Sequence, residues 1–193
     1  CNFIMSTLET NLIQPSTGTT LTVGASGDTI TVPSGATVSG AIANTPAFEA
    51  YLSGDQTISS GANTVVAFNT EVVDTNSAYD TSSYEFTVPA NEAGKYFVYT
   101  HCYGSSQASA ELADQTLRIQ KDDGSGYSLY KDTQADYTGN KIHSDNIHLS
   151  AIMDLTVGDK IRVQININDS SGSPAIRARD KTSYFGAYKL IGV

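Results

Sequence analysis

Tryptophan is absent from this sequence, cysteine is nearly so, and no long apolar run occurs in its 193 residues. The two cysteines, Cys1 and Cys102, are too few for a disulfide framework. Spanning a bilayer takes about 20 consecutive apolar residues, so the sequence predicts no membrane insertion. The first residues also lack the basic and apolar regions of a signal peptide. We therefore expect a soluble chain.

Basic residues are scarce as well. The chain has 11 lysines and arginines against 20 acidic residues, which gives a net charge of −9. Neutralising phosphates requires a basic surface, so the composition argues against a nucleic-acid partner. With 39% hydrophobic and 16% charged residues, the chain is also too apolar for wholesale disorder. A globular domain is expected.

Sequence motifs of enzymes are missing. There is no Gly-x-Ser-x-Gly elbow, no phosphate-binding loop with Lys-Ser/Thr and no His-Glu-x-x-His zinc motif. His143 and Asp145 could share one strand face, but His148 would point to the opposite face. His101 and Cys102 are strand neighbours that face opposite ways, and Cys102 is predicted to be a buried small hydrophobe. The sequence predicts no enzyme, no catalytic residue and no metal site.

Calcium is the one ion that the acidic segments suggest. Asp122-Asp123-Gly124 and residues 166–169 carry suitable oxygen atoms, but neither has the spacing of a dedicated calcium loop. We expect solvated hairpin turns at both places and no cofactor.

The N-terminal boundary has two interpretations. Met5-Ser6-Thr7 is typical of a translation start, so residues 1–4 are expected to belong to an upstream extension. In the alternative, Cys1 is the lipid-bearing first residue of a bacterial lipoprotein, for which nothing downstream gives specific support.

Residues 6–46 are rich in Thr, Ser, Gly, Ala and Val, and carry almost no charge. Thr-Leu-Thr-Val at 20–23 recurs as Thr-Ile-Thr-Val at 29–32, and period-two alternation predicts strands. The apolar stripe is too small for one chain to build a core. We therefore predict a fibrous stem in which several chains bury it together, with a flexible linker as the alternative. The inter-chain candidates are Leu21, Val23, Ile30, Val32 and Val38.

A composition change near Pro46 divides the chain into an N-terminal segment, 1–46, and a globular part, 47–193. The globular part holds all 11 tyrosines and five of the six phenylalanines. Its apolar runs are short, β-branched or aromatic, and no ten-residue window has a helical period, which predicts an all-β sandwich or jelly roll. Strands are predicted at 47–52, 64–68, 84–88, 95–103, 116–121, 127–130, 146–155, 160–168 and 184–193.

Four spaced residues carry a family resemblance. Phe68, Asp74, Tyr79 and Phe86 are separated by five, four and six residues, and Gly-Lys-Tyr-Phe follows at 94–97. This order resembles the signature of the C1q/TNF globular domain, with a two-residue insertion within 89–93 and without the family's aromatics at 98 and 100. The segments at 47–50, 155–159 and 183–188 are similar to further family elements.

The resemblance implies a ten-stranded jelly roll that assembles as a homotrimer. Alternation in the last strand places Tyr184 and Tyr188 on one face and Phe185 on the other. One face should fill the sandwich, and the other is a candidate surface between subunits. The trimer or core aromatic candidates are Tyr96, Tyr184 and Tyr188.

The segment at 21–38 is similar to stem segments of tail fibres and related appendages of marine bacteriophages. Together with a trimeric knob, it implies a virion structural protein whose stem attaches to other virion proteins and whose knob contacts host cell-surface polysaccharide. A capsid-mounted head fibre or decoration protein is the first alternative. A secreted or lipid-anchored bacterial C1q-like binding module is the second.

Basic residues cluster at one place in the acidic chain. Arg177, Arg179 and Lys181 alternate, so an extended strand would present all three on one face. They are candidates for binding an anionic host polysaccharide. Pairing with some of the 20 carboxylates is the competing interpretation, and the sequence favours it.

Overall fold

The computed structural model describes residues 13–18, 21–24, 27–36, 45–107, 111–170 and 173–191. The chain divides into two compact units, Cys1–Val38 and Ser39–Val193. The first strand of the second unit begins at Ala47. A functional boundary between residues 46 and 47 stays a prediction.

The described residues of the first unit contain no strand. Leu21, Val23, Ile30 and Val32 are 46%, 60%, 66% and 52% exposed in the single chain. Alternation alone does not form a strand, because backbone groups need a neighbouring strand to pair with. Among the described residues of the repeat, the predicted strands are therefore absent from the single chain, and burial between chains stays a prediction. Val38 lies outside the described residues.

The second unit is an all-β sandwich with thirteen strands among its described residues. The strands are β1 (Ala47–Tyr51), β2 (Gln56–Thr57), β3 (Thr64–Val65), β4 (Thr70–Asp74), β5 (Tyr79–Asp80), β6 (Glu85–Thr87), β7 (Gly94–Ser105), β8 (Leu112–Asp122), β9 (Tyr127–Asp136), β10 (Ser144–Leu155), β11 (Lys160–Asp169), β12 (Ala175–Ile176) and β13 (Tyr184–Lys189). Each of the nine predicted strand segments overlaps an observed strand.

Two antiparallel sheets form the jelly roll. In the first sheet, β10 pairs with one side of β7, and the order continues from β7 through β13 and β1 to β4. Short strands β12 and β2 extend the β13 side of β7. The second sheet has the order β5, β6, β11, β8, β9, and β3 also pairs with β11. The predicted jelly-roll fold is confirmed.

Alternating side chains of both sheets meet in one hydrophobic core. In β11, the isoleucines and the valine at odd positions are buried while Lys160, Arg162 and Gln164 face outward. Cys102 lies in this core, as predicted, and burial raises the pKa of its thiol. The ring centroid of Phe48 lies 4.8 Å from those of Tyr79 and Phe86, and the rings are stacked.

Asp74 explains one spacing of the sequence signature. Its carboxylate accepts hydrogen bonds from the backbone N–H groups of Asn76, Ala78 and Tyr79, at 3.3, 3.1 and 2.9 Å. The loop between β4 and β5 is thereby folded so that the Tyr79 hydroxyl donates to the carbonyl of Phe68 at 2.8 Å. The signature residues are thus a packing unit of the sandwich.

The described residues include no helix long and apolar enough to span a membrane.

Candidate functional site

The outer face of the first sheet carries an aromatic cluster. In β13, Phe185 and Ala187 are buried in the core, while Tyr184 and Tyr188 are half-buried on the opposite face. The predicted division of this strand into two faces is confirmed. Neighbouring β7 alternates in the same way, because Tyr96 and Val98 point inward.

Tyr96 belongs to the core rather than to the outer face. Its side chain is fully buried, and its hydroxyl donates to the backbone carbonyl of Glu92 at 2.6 Å. Of the three aromatic candidates, Tyr96 is therefore a core residue. Tyr184 and Tyr188 are the two that remain available to another chain.

Sequence reasoning missed the β7 half of the cluster. Phe97 lies 5.5 Å from Tyr188, and Tyr99 lies 6.1 Å from Tyr184, measured between ring centroids. His101 stacks on Tyr184 at 5.5 Å. Alternation along β7 was the signal that could have found these residues. The defined set Phe97, Tyr99, His101, Tyr184 and Tyr188 is called the aromatic face below.

Gly186 makes room for Tyr99 in the aromatic face. A Cβ atom on Gly186 would lie 2.5 Å from the Tyr99 hydroxyl and 2.9 Å from the backbone carbonyl of Phe48. With that space open, Tyr99 lies across β13 and donates to the carboxylate of Glu49 on β1 at 2.8 Å. Burial raises the pKa of Tyr99, and Glu49 raises it further. Tyr99 therefore links three strands of the sheet.

Exposed apolar residues border the aromatic face. Ile152 on β10 is opposite Phe97 in register and 59% exposed, and Val73 on β4 is 44% exposed. Beyond β10, Tyr130 on β9 is 44% exposed and donates to the carbonyl of Ile152, whereas Leu129, 54% exposed, pairs with Gln120 on the second sheet. An apolar surface of this breadth on a folded domain is typical of a surface that contacts another protein.

The basic segment does not form the predicted strand. After β12, the backbone turns, and Arg179–Lys181 forms a short 3₁₀ turn in which Asp180 and Lys181 have φ of 47° and 64°. These positive φ values break the extended conformation, so the three basic side chains do not share a strand face. The predicted basic face is wrong.

Each basic residue has its own environment. Arg177 forms an ion pair with Asp55 at 2.6 Å, which confirms carboxylate pairing for this residue. The ammonium of Lys181 lies 4.9 Å from the ring centroid of Tyr51. Arg179 is exposed, and its guanidinium lies 5.7 Å from the ring centroid of Tyr103. Within the described ranges, no carboxylate forms an ion pair with Arg179.

Two adjoining pockets meet at Tyr103 and Arg179. The first, about 340 Å³, is lined by these two residues and by Asn146, Asp180 and Thr182. The second, about 280 Å³, shares Tyr103 and Arg179 and is otherwise lined by Asp55, Ser105, His143 and Arg177. No sequence pattern indicates Asn146 or Thr182 as lining residues, because they come from segments that only the fold brings together.

Asp55 fixes the backbone that leads into this region. Its carboxylate accepts from the N–H of Ala178 at 2.8 Å and from Arg177 at 2.6 Å. The Ala178 N–H, followed by Arg177, holds the pKa of Asp55 below its ordinary value. Asp55 is therefore ionised at neutral pH and compensates the charge of Arg177.

The acidic turn considered for calcium has an internal role. Asp122 Oδ1 accepts from the N–H groups of Gly124 and Gly126, both at 2.8 Å. Asn166 donates to the carbonyl of Gly61, and Asn168 donates to Asp114. Across the described part of the chain, no three His, Cys, Asp or Glu side chains come together as metal ligands.

The two antiparallel sheets define a jelly-roll domain of the C1q/TNF type. A family model described as the TNF (Tumour Necrosis Factor) family matches residues 57–190. The chain belongs to this family. Its members are typically non-enzymatic binding or signalling modules, and its domains typically form homotrimers.

Solved structures share the fold at low sequence identity. The globular domain of zebrafish complement 1qA matches with a TM-score of 0.53 and 17% identity, covering 76% of this chain and 98% of that one. The TNF protein Eiger from S. frugiperda gives 0.57 and 15%, with coverages of 78% and 96%. Murine APRIL gives 0.54 and 11%, with 75% and 98%. No curated protein sequence matches the chain.

Proposed function

We propose that this chain is a bacteriophage virion structural protein. It is a trimeric fibre or appendage with an N-terminal stem that attaches to the particle. Its jelly-roll knob recognises the host surface through a glycan. The observation that carries the proposal is the pairing of a TNF-family knob with an N-terminal segment that resembles phage stems.

The aromatic face supports the trimer. Apolar surface on a sheet gains about 25 cal/mol for each Å² removed from water, and this face is flanked by exposed Ile152 and Val73. A ring of three needs two different patches on each subunit, because a patch that pairs with itself gives a dimer. The aromatic face and the Leu129–Tyr130 edge are two such patches.

The N-terminal segment supports a multi-chain stem. Its alternating residues Leu21, Val23, Ile30 and Val32 are all exposed in the single chain. A stripe of β-branched and aliphatic residues gives no hydrophobic stabilisation while it is exposed to solvent. Three chains can bury the stripe between them and gain that stabilisation.

Labelling of particles tests the virion role. An antibody raised against residues 45–191 is applied to intact particles of the phage that encodes the chain, with the antibody pre-absorbed on purified knob as the control. Label at the tail is the expected result. Label on the capsid would instead favour a head fibre or decoration protein. Protein found only in the medium would contradict the proposal and favour a secreted module.

A further inference from the structure

Among the described residues, Arg179 forms no ion pair with a carboxylate; its guanidinium donates to the Tyr103 hydroxyl at 3.5 Å and interacts electrostatically with Asp55. Asp55 compensates Arg177, and Lys181 lies against Tyr51. An exposed guanidinium that lines two adjoining pockets beside an aromatic ring has the chemistry of a ligand site. We propose that the pocket formed by Tyr103, Asn146, Arg179, Asp180 and Thr182 binds a carboxylated sugar, a hexuronate unit of an acidic polysaccharide.

The charge in the pocket selects the class of anion. Arg179 supplies one planar fork, which matches the two oxygens of a carboxylate. Asp180 lines the same pocket, and its negative charge would repel a phosphate group that carries up to two charges. A singly charged carboxylate on a ring with several hydroxyl groups fits both residues, because the Asp180 carboxylate can accept from a sugar hydroxyl.

The remaining lining residues suit the sugar ring. The ring of Tyr103 lies beside Arg179 and can pack against a sugar ring. Its hydroxyl already forms a hydrogen bond with Ser144 Oγ at 2.8 Å. The amide of Asn146 and the hydroxyl of Thr182 can exchange hydrogen bonds with ring hydroxyls. Pockets of about 340 and 280 Å³ lie near the lower end of ligand-binding sizes, which suits one or two sugar units.

The backbone around Arg179 is held in an uncommon conformation. Asp180 and Lys181 follow each other at φ of 47° and 64°, and neither is a glycine. Such residues cost free energy and persist where the surrounding structure holds them, often at ligand sites. Here Asp55 anchors the preceding Ala178 N–H. The turn is therefore held in place before any ligand arrives.

The pocket lies at the end of the sandwich away from where the chain enters it. Strands β1 and β13 are antiparallel neighbours, with Ala47 opposite Tyr188 and Tyr51 opposite Tyr184. The Arg179 turn precedes Tyr184 and thus lies at the Tyr51 end. The Arg179 turn and the start of β1 thus lie at opposite ends of the sandwich. The inference deepens the proposed host-surface recognition and rests on it.

Binding of the full chain to immobilised polyglucuronate, measured by biolayer interferometry, tests the inference. Methyl glucuronide should compete, and methyl glucoside, in which a neutral hydroxymethyl group replaces the carboxylate, should not. Arg179→Ala should weaken binding about tenfold or more, because hydrogen bonds to charged groups contribute that much. Arg179→Lys keeps the charge without the fork and should weaken it less. Circular dichroism verifies that each variant is folded.

Arg118→Ala is the matched control. It removes the same charge from the second sheet, where Arg118 donates to Asn63, and should change affinity by less than about twofold. Equal losses for the two alanine variants would overturn the inference, and so would equal competition by both glycosides. If polyglucuronate does not bind while the wild-type chain binds host cells, only the uronate inference fails. If neither binds, host recognition fails as well, whatever the particle labelling shows.

Discussion

Asp74 shows how one side chain can determine the course of a loop. Three backbone N–H groups converge on its carboxylate, and the resulting turn delivers Tyr79 to the core. The position of Asp74 in the sequence signature therefore reflects backbone hydrogen bonding rather than a binding role.

Replacing Asp74 with alanine should destabilise the knob. The variant leaves three N–H groups without their acceptor, and we expect a loss of about 2 kcal/mol in the free energy of unfolding. Urea denaturation measures the change. Asp123→Ala is the control, because Asp123 accepts from the Ser125 N–H within an exposed turn. Equal stability of the two variants would contradict the role assigned to Asp74.

At the scale of the strands, two ion pairs tie the second sheet and its turns together. Lys121 on β8 contacts Asp159, in the turn before β11, at 2.7 Å. Lys160 on β11 contacts Glu85 on β6 at 2.6 Å. Burial alone would raise the pKa of each carboxyl group. The lysines, with the Thr156 N–H at Asp159 and the Tyr127 hydroxyl at Glu85, outweigh burial and lower the pKa of both.

Acid should therefore weaken the sandwich through these two carboxylates. Their contribution to stability is complete above the ordinary values of 4.5 and 3.8, and is lost as the pH falls through the lowered values. The double variant Glu85→Gln with Asp159→Asn should be less stable at neutral pH but lose less on acidification. Urea midpoints measured from neutral to about pH 3 give the comparison.

Asp123→Asn makes the same chemical change in an exposed turn and should leave the wild-type acid profile unchanged. A double variant whose stability falls with acid as steeply as that of the wild type would show that other carboxylates govern the transition.

Prediction from sequence succeeded for strands in which core packing produces alternating apolar and polar residues. It failed where contacts with residues far along the chain determine the backbone conformation. The alternation of Phe185 and Ala187 against Tyr184 and Tyr188 directly predicts two faces. Strand β4 was missed, because this edge strand exposes Glu71, Val72 and Val73 in succession and shows no period of two. The basic segment alternates equally well, yet its backbone is bound by Asp55, 123 positions from Ala178.

The candidate site was predictable only in part for the same reason. Arg179 could be singled out as a basic residue in an acidic chain. The residues that line the pocket with it include Tyr103 at the end of β7 and Asn146 at the start of β10. No spacing in the sequence indicates that these segments meet. Of the aromatic face, only the two β13 residues, Tyr184 and Tyr188, were predicted from the sequence.

At the scale of the whole molecule, the aromatic face predicts association. The full chain at micromolar concentration should have about three times its 20.4 kDa mass in light scattering. Ile152→Asp with Tyr188→Asp should give monomers, because charges at a packed interface cost several kcal/mol. Val157→Asp changes an apolar residue that is 52% exposed in a turn away from the face, and should leave the mass unchanged. A monomeric wild type would contradict the trimer.

The N-terminal segment can be tested separately. Val23→Asp with Ile30→Asp would place charges on the apolar stripe and should make residues 6–46 sensitive to limited proteolysis, while the knob stays resistant. Thr22→Asp with Thr31→Asp adds the same charge to the alternate positions and should preserve resistance. If both double variants behave like the wild type, the segment is a linker and the fibrous interpretation fails.

The free edge of β10 has a consequence for how copies of the knob can join. The Tyr130 hydroxyl donates to the carbonyl of Ile152 at 3.0 Å, and the Lys131 ammonium donates to that of Ser150 at 2.9 Å. These carbonyls are thus occupied and offer no template for an incoming strand. Polymerisation by continuous cross-molecule hydrogen bonding is disfavoured along this edge. At high protein concentration, the knob should therefore resist amyloid-like strand addition at this edge, even though the apolar surface beside the edge is expected to associate with other chains.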